Sequence, residues 1–199
     1  MRRVSTRGTD STDYTERLAA LEGARWKRWL DVQAPYRWNL RRLSLGRTLD
    51  VGCGIGRNLV HLPPGSVGVD PNPHSVAIAR SRGCDARTPD AFRAAREPAC
   101  FDTLLVAHVL EHLAPDEARV LVAEHLAFVR AGGRVVLIAP QEAGFRSDPT
   151  HRTFFDDAAL GELLGSLACT VLRSYSFPFP RPVGRFFPHN EFVVVGGRL

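Results

Sequence analysis

Residues 49–59 of the chain, LDVGCGIGRNL, carry the strongest indication of the fold. The stretch begins with apolar residues typical of a buried strand, and three glycines at alternate positions follow them. Glycine lets the backbone turn sharply and approach a bound molecule closely, above the amino terminus of the next helix. The stretch therefore predicts a strand that ends in a ligand-binding loop.

The sequence on either side alternates between short apolar runs and helical patterns. Predicted strands cover residues 47–51, 66–70, 84–88, 101–107, 133–139, 170–175 and 190–197. Predicted helices cover residues 57–62, 73–82, 90–96, 116–130 (stopped by Gly132 and Gly133) and 155–167, and residues 15–43 are predicted helical with a break at Pro35. Strands that alternate with helices indicate a parallel sheet that is covered on both faces.

The spacing of the glycines separates two classes of ligand. A nicotinamide dinucleotide site expects G-x-G-x-x-G, which requires a glycine where this chain has Arg57. Asp50, two residues before Gly52, would repel a pyrophosphate. The same carboxylate can help orient the ammonium and sulfonium groups of S-adenosylmethionine, so the loop favours that molecule.

Polar residues at the ends of the next strands extend this site. Asp70 ends the second strand, twenty residues after Asp50, where a carboxylate can accept hydrogen bonds from both ribose hydroxyls. Pro71 then turns the chain toward the next helix. Asp90, near the end of the third strand, can accept a hydrogen bond from the adenine amine. His108 leaves the fourth strand where the methyl donor and the acceptor should meet.

Four segments resemble the class I S-adenosylmethionine-dependent methyltransferases of the small bacterial type: LDVGCGIGRNL, VGVDPNPHSVAIAR, FDTLLVAHVLEHL and AGGRVVLIAP. Their order and spacing match over about residues 45–140. The resemblance implies an α/β, Rossmann-like, doubly wound sheet of seven strands, with the last strand antiparallel and helices on both faces. It implies S-adenosylmethionine as cofactor, bound by Asp50, Gly52, Cys53, Gly54, Asn58, Asp70, Pro71, Asp90, Ala107 and His108.

The 199 residues are predicted to form a single methyltransferase domain. Within it we expect a mobile start (1–14), an N-terminal helical cap (15–44), a cofactor-binding core (45–140) and acceptor-side elements (141–199).

Residues 108–112, HVLEH, match the H-x-x-E-H pattern of inverted zinc proteases. Such a protease needs both histidines on one helical turn. Here the preceding segment is strand-like and Pro115 follows His112 closely, so the protease is not favoured. In the favoured interpretation, Glu111 and His112 bond to loop backbone and have a structural role.

A catalytic metal is the alternative interpretation. Small-RNA and quinone-pathway O-methyltransferases carry Glu-x-x-Glu-His at this place and bind a divalent cation that lowers the pKa of the acceptor hydroxyl. This chain has His108 instead of the first glutamate, and a set of His108, Glu111, His112 and His151 would favour zinc or manganese over magnesium. Without a metal, His151 is the candidate general base, and His108 is the second candidate catalytic residue.

Several acceptors are excluded by missing motifs. The chain has no (D/N)-P-P-(Y/F) after the fourth strand, as base-amine methyltransferases have, and no Pro-Cys nucleophile for cytosine C5. We therefore expect an oxygen acceptor on a small molecule, a sugar or a lipid-linked intermediate. Residues 176–192, SFPFPRPVGRFFPHNEF, join the last two strands, and their phenylalanines and arginines would either wall such an acceptor or form a homodimer contact.

Composition leaves two other functions open. Residues 1–47 hold eleven basic and five acidic residues, a net charge of +6 in a chain whose total is +5. A basic arm of this kind suits RNA, so an RNA-directed 2′-O-methyltransferase is one alternative, and a non-catalytic cofactor-binding protein is another. No apolar run reaches about 18 residues, and the four cysteines form no C-x-x-C. We expect a cytoplasmic protein without a transmembrane segment.

Overall fold

The computed structural model describes residues 33–95 and 100–199, and a seven-stranded sheet lies at its centre. The order of the strands across the sheet is β3-β2-β1-β4-β5-β7-β6, and β7 runs antiparallel to both of its neighbours. The predicted doubly wound sheet with an antiparallel last strand is therefore confirmed. The strands are β1 (Thr48–Val51), β2 (Val67–Val69), β3 (Ala86–Arg87), β4 (Phe101–Ala107), β5 (Val129–Pro140), β6 (Cys169–Phe177) and β7 (Glu191–Arg198).

Helices cover both faces of the sheet, because side chains along each central strand alternate between two apolar cores. In β4, Leu104 and Val106 belong to one buried cluster, whereas Leu105 and Ala107 belong to the other. Burying a leucine or valine side chain contributes about 1.5–3 kcal/mol, so the two cores together stabilise the sheet. The helices are α1 (Ala34–Arg42), α2 (Pro73–Ser81), α3 (Pro89–Ala94), α4 (Pro115–Leu126), α5 (Glu142–Ser147) and α6 (Asp157–Ser166), with 3₁₀ turns at Leu59–His61, Leu110–His112 and Arg181–Arg185.

Two predicted helices differ from the structure, and one helix of the structure was not predicted. Residues 57–62 were predicted as a helix, but only the 3₁₀ turn Leu59–His61 forms there. The helix predicted to reach residue 130 ends at Leu126, because Val129 already pairs with Phe101 in the sheet. Helix α5 was not predicted, since its six residues are too few to show a periodic pattern.

Helix α1 begins beside Pro35, where the sequence predicts a break. That proline lies in the first turn of the helix, where its missing N–H would have no helical partner in any case. Pro35 therefore lies at the start of a helix, as a break at this position requires. The predicted mobile start and most of the predicted helical cap fall on residues 1–32, outside the described residues.

Within the described ranges, no helix combines the length and apolar character needed to cross a membrane. Cys53, Cys84, Cys100 and Cys169 are all free thiols.

Candidate active site

The glycine loop follows β1 at the carboxyl edge of the sheet. Two amides at its start, those of Gly52 and Cys53, donate to the carbonyl oxygen of Val69 at 2.8 and 3.2 Å. Gly52 has φ +74°, and a Cβ built there would lie 2.2 Å from Cγ2 of Val109. A Cβ on Gly54, at φ +51°, would meet no atom within 4 Å. The first glycine is therefore required by packing, whereas the second leaves the backbone open to a ligand.

Asp70 ties this loop to the end of β2. Its Oδ2 accepts from the amide of Gly54 at 2.8 Å, and its Oδ1 accepts from the amide of Asn72 at 2.9 Å. Asn72 in turn caps α2 by accepting from the amides of His74 and Ser75. Because each carboxylate oxygen can accept more than one hydrogen bond, Asp70 is held rigidly and retains capacity for ribose hydroxyls.

Asp50 is buried beneath the loop. The residue is 1% exposed, and its Oδ2 has no hydrogen-bond partner in the described part of the chain. Burial, together with the nearby charge of Asp70, raises the pKa of Asp50 to about 8. An unpartnered buried carboxyl is costly, so this position fits a cationic group such as the ammonium of S-adenosylmethionine.

The other predicted cofactor residues have different surroundings. Burial raises the pKa of the Cys53 thiol, which therefore stays neutral. Ala107 is buried at the end of β4. Asp90 lies in the first turn of α3, where its 97% exposed carboxylate pairs with Arg93 at 2.9 Å. Its contact with adenine stays a prediction, as do the roles of Asn58 and Pro71.

His108 follows β4 with a left-handed backbone, φ +58°. Its Nε2 lies 2.7 Å from Oε1 of Glu191, and its Nδ1 lies 3.4 Å from Oε1 of Glu111. Burial lowers the pKa of His108, but the two carboxylates more than offset this and raise it to about 10. Although the side chain is 46% exposed, it is a cation at neutral pH, so it donates hydrogen bonds and does not accept a proton.

Glu111, His112 and His151 form a separate cluster, in which one ligand atom of each lies within 4.8 Å of the others. Glu111 is 1% exposed, and neither of its carboxylate oxygens has a hydrogen-bond partner among the described residues. Nε2 of His151 lies 3.9 Å from Oε1 of Glu111. Burial lowers the pKa of His112, which favours the neutral imidazole. The cluster thus combines a buried carboxylate with imidazole nitrogens.

Backbone groups of α5 and of the loop that follows it orient the two imidazoles. Nδ1 of His151 donates to the carbonyl oxygen of Phe145 at 2.9 Å. Nδ1 of His112 lies 3.4 Å from the carbonyl oxygen of Thr150 and 3.2 Å from its hydroxyl. The bond of His112 to loop backbone agrees with the structural interpretation. The Glu111 side chain makes no such bond, although its carbonyl oxygen accepts from Arg152 and Thr153.

The structure separates residues that the pattern H-x-x-E-H placed together. His108 follows a strand and His112 ends the 3₁₀ turn Leu110–His112, so no single helical turn presents both, and the geometry of a zinc protease is absent from these residues. Of the four predicted metal ligands, His108 lies outside the cluster because Glu191 binds its Nε2. His108 and His151 nevertheless face the same oxygen of Glu111.

Two residues in this region, Glu191 and Tyr36, were not predicted. Glu191 begins β7, 83 residues from His108, and no motif surrounds it. Tyr36 of α1 donates its hydroxyl to the carbonyl oxygen of His189 at 2.5 Å, across 153 residues. Burial, and then the charge of Glu191, raises the pKa of Tyr36. Glu191 could be found only from strand pairing, which brings the start of β7 beside the end of β5.

The predicted acceptor loop between β6 and β7 is anchored at two places. Arg181 donates to both carboxylate oxygens of Glu142, at 2.8 and 2.6 Å. The buried amide of Asn190 donates to the side chains of Gln141 and Ser176 and to the Phe179 carbonyl, at 3.0–3.1 Å. Phe177 and Phe187 are packed, whereas Phe179 is 48% and Phe186 is 85% exposed.

Comparison with known proteins agrees with this geometry. A family model described as "Methyltransferase domain" matches residues 49–137. Probable tRNA methyltransferase 9B from Mus musculus and from Homo sapiens are each 31% identical over 90 residues, which is 45% of this chain and 20% of the relative. The chain thus spans about a fifth of the length of these relatives.

Solved structures share the fold at low sequence identity. A SAM-dependent methyltransferase from Archaeoglobus fulgidus is 19% identical, with TM-score 0.66 over 82% of this chain and 93% of that one. A possible histamine N-methyltransferase from Thermotoga maritima is 19% identical, with TM-score 0.65 over 94% and 99%. Magnesium protoporphyrin IX methyltransferase from Synechocystis, with bound SAH, is 17% identical, with TM-score 0.61 over 94% and 99%.

The sheet order, the glycine loop and the match of residues 49–137 to the methyltransferase-domain model are those of class I S-adenosylmethionine-dependent methyltransferases, to which the chain is similar. S-Adenosylmethionine is its cofactor, and Oδ2 of Asp50, which has no hydrogen-bond partner among the described residues, fits that molecule beneath the open glycine loop. The resemblance drawn from the four sequence segments is thereby confirmed.

Proposed function

We propose that the chain methylates an oxygen atom of a small molecule, a sugar or a lipid-linked acceptor. The observation that carries this proposal is the cluster of Glu111, His112 and His151 at the carboxyl edge of β4, beside the glycine loop. Val109, two residues before Glu111, packs against Gly52. A hydroxyl acceptor must lose a proton during methylation, and the cluster places a carboxylate and two imidazoles at that position.

The cofactor supplies an electrophilic methyl group, and the chain's residues orient the partners and remove the acceptor proton. In the proposed arrangement, Asp70 accepts from the ribose hydroxyls and Asp50 receives the ammonium group. Asn58, Pro71 and Ala107 complete the cofactor's surroundings, and Asp90 accepts from the adenine amine.

Proton removal is assigned to His151. Because its Nδ1 donates to the Phe145 carbonyl, Nε2 of the neutral ring carries the lone pair and faces Glu111. This tautomer can take a proton from an acceptor hydroxyl, and the Glu111 carboxylate stabilises the imidazolium that results. Cationic His108 has a different role: it fixes the end of β4 against Glu191 and can donate a hydrogen bond to the acceptor.

Exposed aromatic side chains support an apolar or aromatic portion of the acceptor. Phe179 and Phe186 lie in the loop that starts at the end of β6, the same edge of the sheet as the glycine loop, since β6 runs parallel to β5. Anchoring by Glu142 and Asn190 holds this loop in one conformation. A preformed wall of this kind favours a compact acceptor.

The test is incubation of the protein with methyl-labelled S-adenosylmethionine and fractionated cell extract. We expect label in the small-molecule or lipid pool, in a product that survives mild alkali as a methyl ether does. Asp70→Ala should abolish the incorporation, and Asp85→Ala, which changes an exposed carboxylate, should not. Label that appears only in protein or nucleic acid would contradict the proposal.

RNA is the second candidate acceptor, because the relatives that share 31% identity are named probable tRNA methyltransferases. An RNA-directed 2′-O-methyltransferase would bind RNA with a steep dependence on salt, and deletion of residues 1–30 would remove that binding. Label in the RNA pool under these conditions would select this alternative.

A further inference from the structure

We propose that Glu111, His112 and His151 bind a divalent cation, of the zinc or manganese type, on the acceptor side of the cofactor site. The proposal requires only these three side chains. Its use in methyl transfer rests on the proposed function, whereas the binding of the ion does not.

The first support is the state of Glu111. Its carboxylate is almost completely buried, yet neither oxygen has a hydrogen-bond partner in the described part of the chain. Nδ1 of His108 lies within ion-pair distance at 3.4 Å, but this ring is already bound to Glu191 at 2.7 Å. Buried carboxylates are normally paired or coordinate metals, so Glu111 lacks a partner that its surroundings require.

The second support is the local balance of charge. His108 lies between two carboxylates, with its Nε2 2.7 Å from Glu191 and its Nδ1 3.4 Å from Glu111. Asp148, which accepts from Thr150, adds a further negative charge beside His112 and His151. Two carboxylates, those of Glu111 and Asp148, therefore lie beside the two histidines, and such surroundings favour a bound cation.

The third support is the orientation of the histidines. Histidines that bind metals nearly always donate their second ring N–H to a carbonyl or carboxylate, which fixes the ring and its tautomer. Nδ1 of His151 donates to the Phe145 carbonyl at 2.9 Å, and Nδ1 of His112 lies 3.4 Å from the Thr150 carbonyl and 3.2 Å from its hydroxyl. The remaining Nε2 atoms are then the metal-binding atoms.

The distances are close to those of a bound ion. Ligands at about 2.0–2.2 Å from a tetrahedral ion lie roughly 3.4 Å from one another. The three ligand atoms lie within 4.8 Å of one another, so small side-chain rotations complete the site. Two imidazoles and one carboxylate favour zinc or manganese over magnesium, which prefers oxygen ligands.

Three protein ligands leave at least one coordination position for a further molecule. An acceptor hydroxyl that occupies it would have a lower pKa, and this would help deprotonation beside the methyl donor. The cluster would then select acceptors with an exposed hydroxyl that can reach the ion.

Direct titration of the full chain tests the binding. The protein is treated with a chelator, dialysed, and titrated with Zn²⁺ and Mn²⁺ in a calorimeter, and with Co²⁺ followed by visible absorption. We expect one ion per chain at the cluster and absorption bands typical of Co²⁺ with nitrogen and oxygen ligands. Absence of stoichiometric binding by all three ions would overturn the proposal.

Variants locate the site. Glu111→Gln and His151→Ala should each weaken binding at least tenfold, while the matched changes Glu124→Gln and His125→Ala on α4 should leave it unchanged. Folding is checked by circular dichroism and by S-adenosylhomocysteine affinity. If Glu111→Gln does not fold, His151→Ala and the titration of the wild-type protein still show whether the ion binds at the cluster. Equal affinity in a folded His151→Ala protein would place the ion elsewhere, at a cysteine for example, and refute the assignment.

The outcomes separate the two proposals. Ion binding at the cluster without methylation of any extract pool would contradict the proposed function and leave the metal site standing. Methylation that proceeds at full rate in a chelator, with no ion bound, would refute the metal site and leave His151 as the base.

Discussion

The cofactor half and the acceptor half of the molecule are built from different kinds of contact. At the predicted cofactor site, Asp70 reaches Gly54 across 16 residues and Asn72 across two. At the acceptor side, His108 meets Glu191 across 83 residues, and Gln141 meets Asn190 across 49. Local contacts leave a motif in the sequence, whereas distant ones do not. The first site can therefore be recognised from its residues, and the second only from the folded chain.

The largest effect is expected at His151, the acceptor-side residue with a predicted catalytic role. This residue therefore gives the strongest test of the difference between the two halves. His151→Ala should slow turnover by about 10²–10⁴-fold, because it removes the group that accepts or organises the acceptor proton. Cofactor affinity should remain intact, since the ring bonds only to the acceptor side. Steady-state kinetics with an identified acceptor and calorimetry with S-adenosylhomocysteine measure both. A full rate in His151→Ala, as expected for the control His125→Ala, would remove His151 from the mechanism.

Asp70→Ala should weaken cofactor binding, the property that His151→Ala is expected to leave intact. Each charge-assisted hydrogen bond to the ribose contributes about 1.5–3 kcal/mol, so loss of the carboxylate should lower cofactor affinity about 10²-fold or more. The amides of Gly54 and Asn72 also lose their acceptor. Calorimetry checks the affinity, with Asp85→Ala as control. Unchanged affinity, or tighter binding of NAD than of S-adenosylmethionine, would disprove the assignment of the cofactor site.

Asn190→Ala tests whether the acceptor half depends on its buried network. The change leaves Gln141, Ser176 and Phe179 each without one partner. Leaving buried polar groups unpaired costs about 1–3 kcal/mol, so the free energy of unfolding in urea should fall by that amount. We also expect a higher KM for the acceptor at unchanged cofactor affinity. Gln33→Ala, at an exposed amide, is the control, and equal stability of the two variants would show that the network is dispensable.

The smallest effect concerns pH and the cofactor half. Asp50 has a pKa of about 8 in the folded chain, so it is largely protonated at pH 7, and an ammonium group bound beside it would favour ionisation. Cofactor affinity should therefore rise between pH 6 and 7.5, by at most about tenfold per pH unit, with release of a proton. Asp50→Asn should abolish this dependence. Calorimetry in buffers of different ionisation enthalpy counts the protons, and the absence of any release would contradict the role given to Asp50.

The Asp50 carboxyl also affects stability. Its contribution to stability falls with rising pH, whereas cofactor affinity is expected to rise. In the unfolded chain Asp50 loses its proton near pH 4, but in the folded chain it retains the proton to about pH 8. Its contribution therefore decreases the free energy of unfolding as pH rises between these values. Burial of Asp50 beneath the loop therefore lowers the free energy of unfolding at neutral pH. It also leaves a carboxyl group where a cationic ligand can bind.

The amino-acid sequence by itself determined the cofactor half. Alternating apolar runs predict the parallel strands, the spacing of Gly52, Gly54 and Asp50 selects the ligand, and Asp70 follows twenty residues later. These signals are readable because they depend on neighbours in the chain. The end of α4 was misplaced for the complementary reason: pairing of Val129 with Phe101 overrides a helical pattern that continues beyond Leu126.

Only the tertiary structure decided the arrangement around HVLEH. The pattern contained His108, Glu111 and His112, but it could not show that His108 turns to Glu191 while Glu111 is left with two histidines. That division depends on β7, which returns antiparallel beside β5 and delivers Glu191 to the end of β4. Strand pairing between distant segments carries no local signature, because any apolar strand of suitable length satisfies the same backbone hydrogen bonds.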